Sequence, residues 1–397
     1  MKVVIKNSLR DTLAFLLHLN KRRRIFRRAA ARRLSPGAMN ILAGQLHPER
    51  QVMRIAEVRS ETPTSRTFIL VPAGEGGKVA FFRAGQYIAV EDAVGGTPVS
   101  RPFSIASSPD EAAETNGYMI TVKSKADGFF APWVFEDWKP GKTLTCSAPE
   151  GTFFHEPIRD ARRIVCIAGG SGVTPFRSIL KDGLEHTENT FHLLYGVTGP
   201  REVMYRDELE NLEKKYPERF SLTIVTSGGA PGGTGETGFI TSDIIRKHVP
   251  DATGASFFIC GPPAMHLFLQ TELEAFHLPR RRIRRESYGG IQPGTEDARR
   301  FSITVLSVEG CTTISAAGGE TVLVALERAG LNPPALCRSG ECGWCRSRLV
   351  EGDVYVPEDT PGVRRADKKF GWFHPCSSYP RSNLVVEIPK NPLHQIS

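Results

Sequence analysis

The sequence offers nothing that would cross a bilayer as a helix. Its N-terminal apolar stretch, Leu13-Ala-Phe-Leu-Leu-His-Leu19, is short of the about 20 residues a spanning helix needs, and it runs straight into Lys21-Arg-Arg-Arg-Ile-Phe-Arg-Arg28. A signal peptide carries its charges before the apolar stretch, so no secretory leader is expected, and with it no oxidising compartment. The protein is read as cytoplasmic, with reduced thiols. Cys146, Cys166, Cys260 and Cys311 are scattered and suggest no disulfide framework. Internal repeats are absent, as is the G-x-G-x-x-G fingerprint. No Ser/His/Asp triad or paired-carboxylate site is needed by the chemistry read below, and Glu286 and the 10 histidines are read as solvated or structural.

Excess charge of one sign is also missing from most of the chain. The net charge is +8, but residues 1–34 hold eleven Lys/Arg against Asp11, a local charge of +10 that leaves −2 for the rest. The pI of 9.1 is therefore no evidence of nucleic-acid binding by the folded body. The basic run Arg280–Arg285 lacks the interleaved aromatics of a single-strand surface and reads as a domain or partner contact.

What is present is more specific. Cys337, Cys342, Cys345 and the distant Cys376 form C-x4-C-x2-C…C, the spacing in which four thiolates hold a plant-type [2Fe–2S] cluster. Gly340 and Gly343 within the loop permit positive φ and close approach of backbone N–H groups to sulfur. Zinc is the competing reading, but zinc frameworks usually show two short C-x2-C pairs. Trp344 in the same loop reads either as packing over it or as a contact for an electron acceptor.

Around that loop the chain divides into segments. Residues 1–50 form a basic N-terminal extension, with a helix expected over 9–33 behind Ser8 as N-cap. A solvated helix is one reading of it; a peripheral contact with an anionic membrane or an acidic partner is the other. Residues 51–157 carry short alternating strands (54–59, 67–71, 86–90, 119–123 and 143–146) that suggest a small antiparallel barrel. Over 158–288 strands at 164–168, 191–195, 222–225 and 257–260 alternate with helices near 175–184 and 205–215, the pattern of a parallel α/β sheet. Residues 289–300 read as a linker, and 301–397 carry the cysteine loop between strands 301–305 and 384–388, with a helix over 321–329.

Strand 164–168 runs into Gly169-Gly170-Ser171-Gly172-Val-Thr174-Pro175, where a glycine turn opening a helix can hold a pyrophosphate on backbone N–H groups. A second turn, Cys260-Gly261-Pro262, follows a later strand. Ligands in open α/β sheets bind beyond the carboxyl ends of the strands, so both turns belong to one edge.

Together with Arg101-Pro-Phe103-Ser104-Ile-Ala-Ser107, these motifs resemble the ferredoxin–NADP reductase superfamily. With the C-terminal cysteine loop, residues 51–390 resemble its flavin–nicotinamide–ferredoxin reductases. The resemblance implies an antiparallel β-barrel flavin domain, an α/β nucleotide domain with a parallel sheet, and an α+β ferredoxin-like (β-grasp) domain. It implies that Arg101 binds the flavin phosphates, Phe103 stacks on the ring, Ser104 hydrogen-bonds near the hydride-accepting nitrogen, and Thr174 and Cys260 lie near the nicotinamide. Gly169, Gly170 and Gly172 fall at the pyrophosphate, and Gly261 and Pro262 complete the second signature. Ser107 suggests FAD, while Gly128-Phe-Phe-Ala131 lacks the serine of the corresponding phosphate motif, so FMN stays open. The turns at 196–200 and 226–229 lack the arginine that a 2′-phosphate needs, which favours NADH; Arg201 keeps NADPH as the alternative.

A hydride carries two electrons and a [2Fe–2S] cluster takes one, so a flavin between them is the expected converter. The expected function is an NADH-dependent reductase passing electrons through FAD and the cluster to a protein acceptor such as an oxygenase. A non-catalytic carrier or redox-sensing subunit, and a reductase of membrane quinone, are the alternatives.

Overall fold

The computed structural model describes residues 8–28, 37–124, 130–228, 235–286, 299–308, 310–357, 360 and 362–389. Two compact units result, residues 1–45 and 46–397. The first holds helix α1 (Ser8–Arg28) and most of α2 (Ala38–Leu46). Helix α1 includes Ser8 as a helical residue rather than as its cap; residues 29–33 of the expected helix lie outside the described residues. Leu9, Leu13, Phe15 and Leu17 of α1 and Met39 of α2 are largely exposed. No described helix is long and apolar enough to cross a membrane.

The second unit opens with β1 (Arg50–Thr62), β2 (Ser65–Pro72), β3 (Tyr87–Val94) and β4 (Thr97–Ser104). Helix α3 (Pro109–Thr115), β5 (Tyr118–Lys123), α4 (Phe130–Asp137) and β6 (Thr143–Ser147) follow. The six strands pair antiparallel in the order β4-β3-β6-β1-β2-β5. An Ile105–Ile120 bridge links the two edges and turns the sheet into a barrel. Alternation drives this: in β1 Met53 and Ile55 are buried while Arg54 and Ala56 face out. Phe68, Trp138, Tyr118 and Ile120 fill the interior.

Next come β7 (Arg163–Gly169), α5 (Thr174–His186), β8 (Thr190–Val197), α6 (Arg206–Lys215), β9 (Phe220–Thr226) and β10 (Glu236–Thr237). Helix α7 (Ser242–His248), β11 (Ser256–Cys260), α8 (Pro263–Glu274) and β12 (Ile283–Glu286) complete the layer. All strands are parallel, ordered β10-β9-β8-β7-β11-β12. The chain steps outward from β7 in one direction and returns to its other side with β11, so the β7/β11 boundary is the topological switch point. β7 and β11 are buried on both faces, as a central parallel strand requires.

Arg177 of α5 fastens this layer to the barrel. It is 4% exposed and donates to the Ala106 carbonyl at 2.7 Å, to Glu111 of α3 at 2.8 and 3.0 Å, and to Glu208 of α6 at 2.6 and 2.7 Å. Burial opposes ionisation of Glu111, yet Arg177 and then Lys181 hold its carboxyl down at about 2.

The C-terminal part comprises β13 (Arg300–Ser307), β14 (Gly310–Ala317), α9 (Val322–Arg328), β15 (Ser347–Glu351) and β16 (Val354–Tyr355). After α10 (Arg365–Lys369) come β17 (Trp372–Phe373), β18 (Tyr379–Pro380) and β19 (Leu384–Glu387). The mixed five-stranded sheet runs β14-β13-β19-β15-β17, with β13 and β19 parallel. Helix α9 packs Val322, Ala325 and Leu326 against Ile303, Val305 and Val386 of this sheet.

Candidate functional site

The two glycine turns interlock at the switch point. Gly170, at φ 54°, bends the chain out of β7 into a single 3₁₀ turn that opens α5. A Cβ on Gly172 would strike the Cys260 carbonyl, and one on Gly169 would come within 2.9 Å of the Pro262 ring and 2.6 Å of the Met265 sulfur. One on Gly261 would come within 3.2 Å of the Gly169 Cα. Glycine is required because two backbones pass at contact distance, leaving N–H groups to line the edge. Thr174 is buried at the first turn of α5, its hydroxyl donating to the Ser171 carbonyl at 2.8 Å. Cys260 is 2% exposed, and burial followed by the Glu286 carboxylate drives its thiol well above the ordinary range. It stays protonated and is not a nucleophile.

Glu286 sits beside Cys260 in the parallel β11–β12 register and is 7% exposed. The sequence reads Glu286 as solvated or structural; the sheet register buries this carboxylate at the switch-point edge, so it is not solvated.

On the barrel, Arg101, Phe103 and Ser104 share the end of β4. The Arg101 guanidinium lies 5.5 Å over the Phe130 ring, donates to the Ser100 carbonyl at 2.8 Å and pairs with Glu327 of α9 at 3.4 Å. Phe103 stacks on Phe130 at 6.3 Å and 30°. Ser104 is 5% exposed and lies opposite Tyr87 in the β3–β4 pairing. Ser107 is farther in: its hydroxyl accepts from the Met119 N–H at 3.2 Å and its carbonyl accepts from Ser178 at 2.7 Å. Gly128 lies outside the described residues. A cationic guanidinium, an aromatic ring and a hydroxyl along one strand end make a donor set that fits a phosphorylated flavin.

The cysteine loop brings its four members together. Cys337, Cys345 and Cys376 are buried and Cys342 faces out, and all eight cysteines of the chain are free thiols. Cys345 and Cys376 sulfurs are 3.3 Å apart. Hydrogen bonding from Cys342, then Cys376, holds the Cys337 thiol far below its usual value. Backbone N–H groups of Ser339 and Cys342 point at the Cys337 sulfur at 3.5 and 3.4 Å, and that of Trp344 at the Cys342 sulfur at 3.4 Å. Arg338, Gly340 and Gly343 take φ of 58°, 83° and 72° to aim them. A Cβ on Gly340 would meet the Thr360 side chain at 2.5 Å and Ser377 at 2.7 Å. Convergent thiols with N–H donors on sulfur fit the coordination of an iron–sulfur cluster. Trp344 is 40% exposed.

Tyr87 opens β3 of the barrel. It is 3% exposed, pairs with Ser104 across the sheet, and is pushed above its usual range by burial and by the sulfurs of Cys337 and Cys342. Packing between distant segments puts it there, so sequence reasoning missed it.

Comparison with known proteins finds three family models along the chain. Residues 53–155 match the family model of the oxidoreductase FAD-binding domain, 166–271 that of the oxidoreductase NAD-binding domain, and 307–381 that of the 2Fe-2S iron-sulfur cluster binding domain. The phthalate 4,5-dioxygenase oxygenase reductase subunit of Pseudomonas putida is 30% identical over 72% of this chain and 82% of its own. The glycine betaine monooxygenase reductase subunit of Chromohalobacter salexigens is 27% identical over 85% and 95%. A subunit of 1,2-phenylacetyl-CoA epoxidase from Escherichia coli is 28% identical over 84% and 96%. Phthalate dioxygenase reductase shares the fold, with a TM-score of 0.62 at 23% identity over 85% of this chain and 98% of that one. The three domains, their order and these relatives establish that the chain belongs to the ferredoxin–NADP reductase superfamily, among the flavin- and nicotinamide-dependent reductases with a fused C-terminal [2Fe–2S] domain.

Proposed function

We propose that this protein is the reductase component of an oxygenase system, taking reducing equivalents from NADH and delivering single electrons through FAD and a [2Fe–2S] cluster to an oxygenase partner. The observation that carries this reading is the meeting of the barrel and the cysteine loop, where Arg338 reaches the Ser100 carbonyl at 3.5 Å and Thr152 the Glu341 carboxylate at 3.0 Å. When bound, the nicotinamide supplies a hydride, the flavin divides it into single electrons, and the cluster carries them outward.

The chain's own residues bind, orient and exclude water. The glycine edge at 169–172 and Gly261-Pro262 receives the pyrophosphate on backbone N–H groups, and Thr174 and Cys260 floor the nicotinamide side. Arg101 holds the flavin phosphates; its five donors let it do so while it also faces Glu327. Phe103 covers the ring, and Ser104 offers its hydroxyl to the hydride-accepting atom. Ser107 braces the turn and Gly128 belongs to the phosphate loop. Cys337, Cys342, Cys345 and Cys376 ligate the irons. Trp344, exposed beside Cys342, is the contact through which the acceptor is met.

The basic helix α1, with Leu13 and Phe15 exposed ahead of the Lys21–Arg24 run, supports a peripheral contact with an anionic surface, and the scattered Cys146, Cys166, Cys260 and Cys311, whose spacing offers no disulfide framework, support a cytoplasmic location. Turnover tests the main reading. Purified protein should oxidise NADH with ferricyanide, which takes electrons from flavin, and with cytochrome c, which takes them from the cluster. Absence of ferricyanide turnover with intact cofactors would overturn it.

A further inference from the structure

The C-terminal domain is joined to the barrel by a buried ion cluster. Glu327, on the last turn of α9, is 9% exposed. Its carboxylate receives Arg338 Nη1 and Nη2 at 2.6 and 2.9 Å, a two-pronged grip, and Arg101 Nη1 at 3.4 Å. Both guanidiniums also converge on the Ser100 carbonyl, Arg101 at 2.8 Å and Arg338 at 3.5 Å.

Arg338 is buried and Arg101 half-buried, and the two neighbouring guanidiniums repel: burial, then Arg338, lower Arg101 to about 10. Glu327 is the carboxylate that both of them face. Arg101 belongs to β4 of the barrel, whereas Arg338 is the residue after Cys337 and sits at φ 58°. The three side chains therefore connect the strand assigned to the flavin with the loop assigned to the cluster. A further hydrogen bond across this boundary among the described residues, Thr152 to Glu341 at 3.0 Å, is exposed and correspondingly weak.

We propose that Glu327 is a positioning residue that docks the ferredoxin domain on the flavin barrel by bridging Arg101 and Arg338, and so fixes the gap that electrons cross to Cys337. This rests on the functional reading above. Because Arg101 also faces the flavin phosphates in that reading, domain docking and flavin occupancy share one guanidinium.

The test is E327Q in the full-length holoprotein, which keeps the shape of the side chain and removes its charge. NADH–ferricyanide turnover should stay within about twofold of the parent, and the visible bands of flavin and cluster should be unchanged. Cluster reduction after rapid mixing with NADH should slow by about tenfold or more, because the two electron carriers are no longer held in a fixed relative geometry. Small-angle scattering should show a larger radius of gyration, a readout independent of turnover. E327D, which keeps the charge on a shorter arm, should fall between. Cluster reduction at the parent rate in E327Q, or an equal slowing of ferricyanide turnover, would overturn the proposal. Should E327Q lose its cluster, E327D is decisive, and a parent rate together with a parent radius of gyration would overturn it. Failure of NADH to reduce the cluster in the parent protein would instead sink the electron path itself, and the docking role with it.

Discussion

The nucleotide edge and the cluster loop solve opposite problems. At 169–172 and 260–262 the proposed nucleotide surface depends on missing side chains: Gly169, Gly172 and Gly261 let two strand ends pass in contact, and any Cβ collides with backbone, Pro262 or Met265. At 337–345 and 376 the surface exists because side chains are present, four thiols held by a backbone bent to positive φ at three residues. One site is lost by adding atoms and the other by removing them. A ligand held by backbone amides tolerates change in neighbouring side chains, whereas a cluster held by thiolates tolerates none in its ligands.

Substitutions sharpen the contrast. The largest effect is expected from Cys376→Ser, which removes a ligand: cluster absorbance and NADH–cytochrome c turnover should vanish while ferricyanide turnover survives. Ser104→Ala should lower ferricyanide turnover by about 10²-fold at unchanged KM for NADH, the loss seen when a donor to developing charge is removed. Gly172→Ala, which drives a methyl into the Cys260 carbonyl, should cost about 1–3 kcal/mol of stability and raise the KM for NADH, with cluster absorbance intact; thermal unfolding and steady-state kinetics check both. Cys260→Ala should have the smallest effect. Burial keeps this thiol protonated, so neither parent nor variant should show a break in ferricyanide turnover near pH 8.5, where an ordinary thiol ionises. A break present in the parent and absent in the variant would mean that the thiol titrates and contributes.

Much of this was legible in the sequence because the informative signals are local. The spacing from Cys337 to Cys345 and the strand–glycine–helix order around Gly169 depend on neighbours along the chain. Helix α3 also carries a local signal: Ser108 and Glu111 form a capping box around Pro109. Strand β4 went unassigned because its residues read first as a binding motif. Tyr87 and Glu327 could not be found that way, and Glu286 could not be placed. Tyr87 matters through a strand pairing and a distant loop, Glu286 through the register of β12 with β11, and Glu327 through a boundary between domains. Such placements are fixed by tertiary packing, which periodicity and spacing do not encode.

The central claim is a continuous electron path from the glycine edge to the cysteine loop. The most direct test is the visible spectrum of the anaerobically purified protein before and after one equivalent of NADH. The account predicts flavin bands with a cluster shoulder at longer wavelength, both bleaching on addition of NADH. Flavin bleaching without loss of the cluster shoulder, or a spectrum with no cluster features, would contradict it.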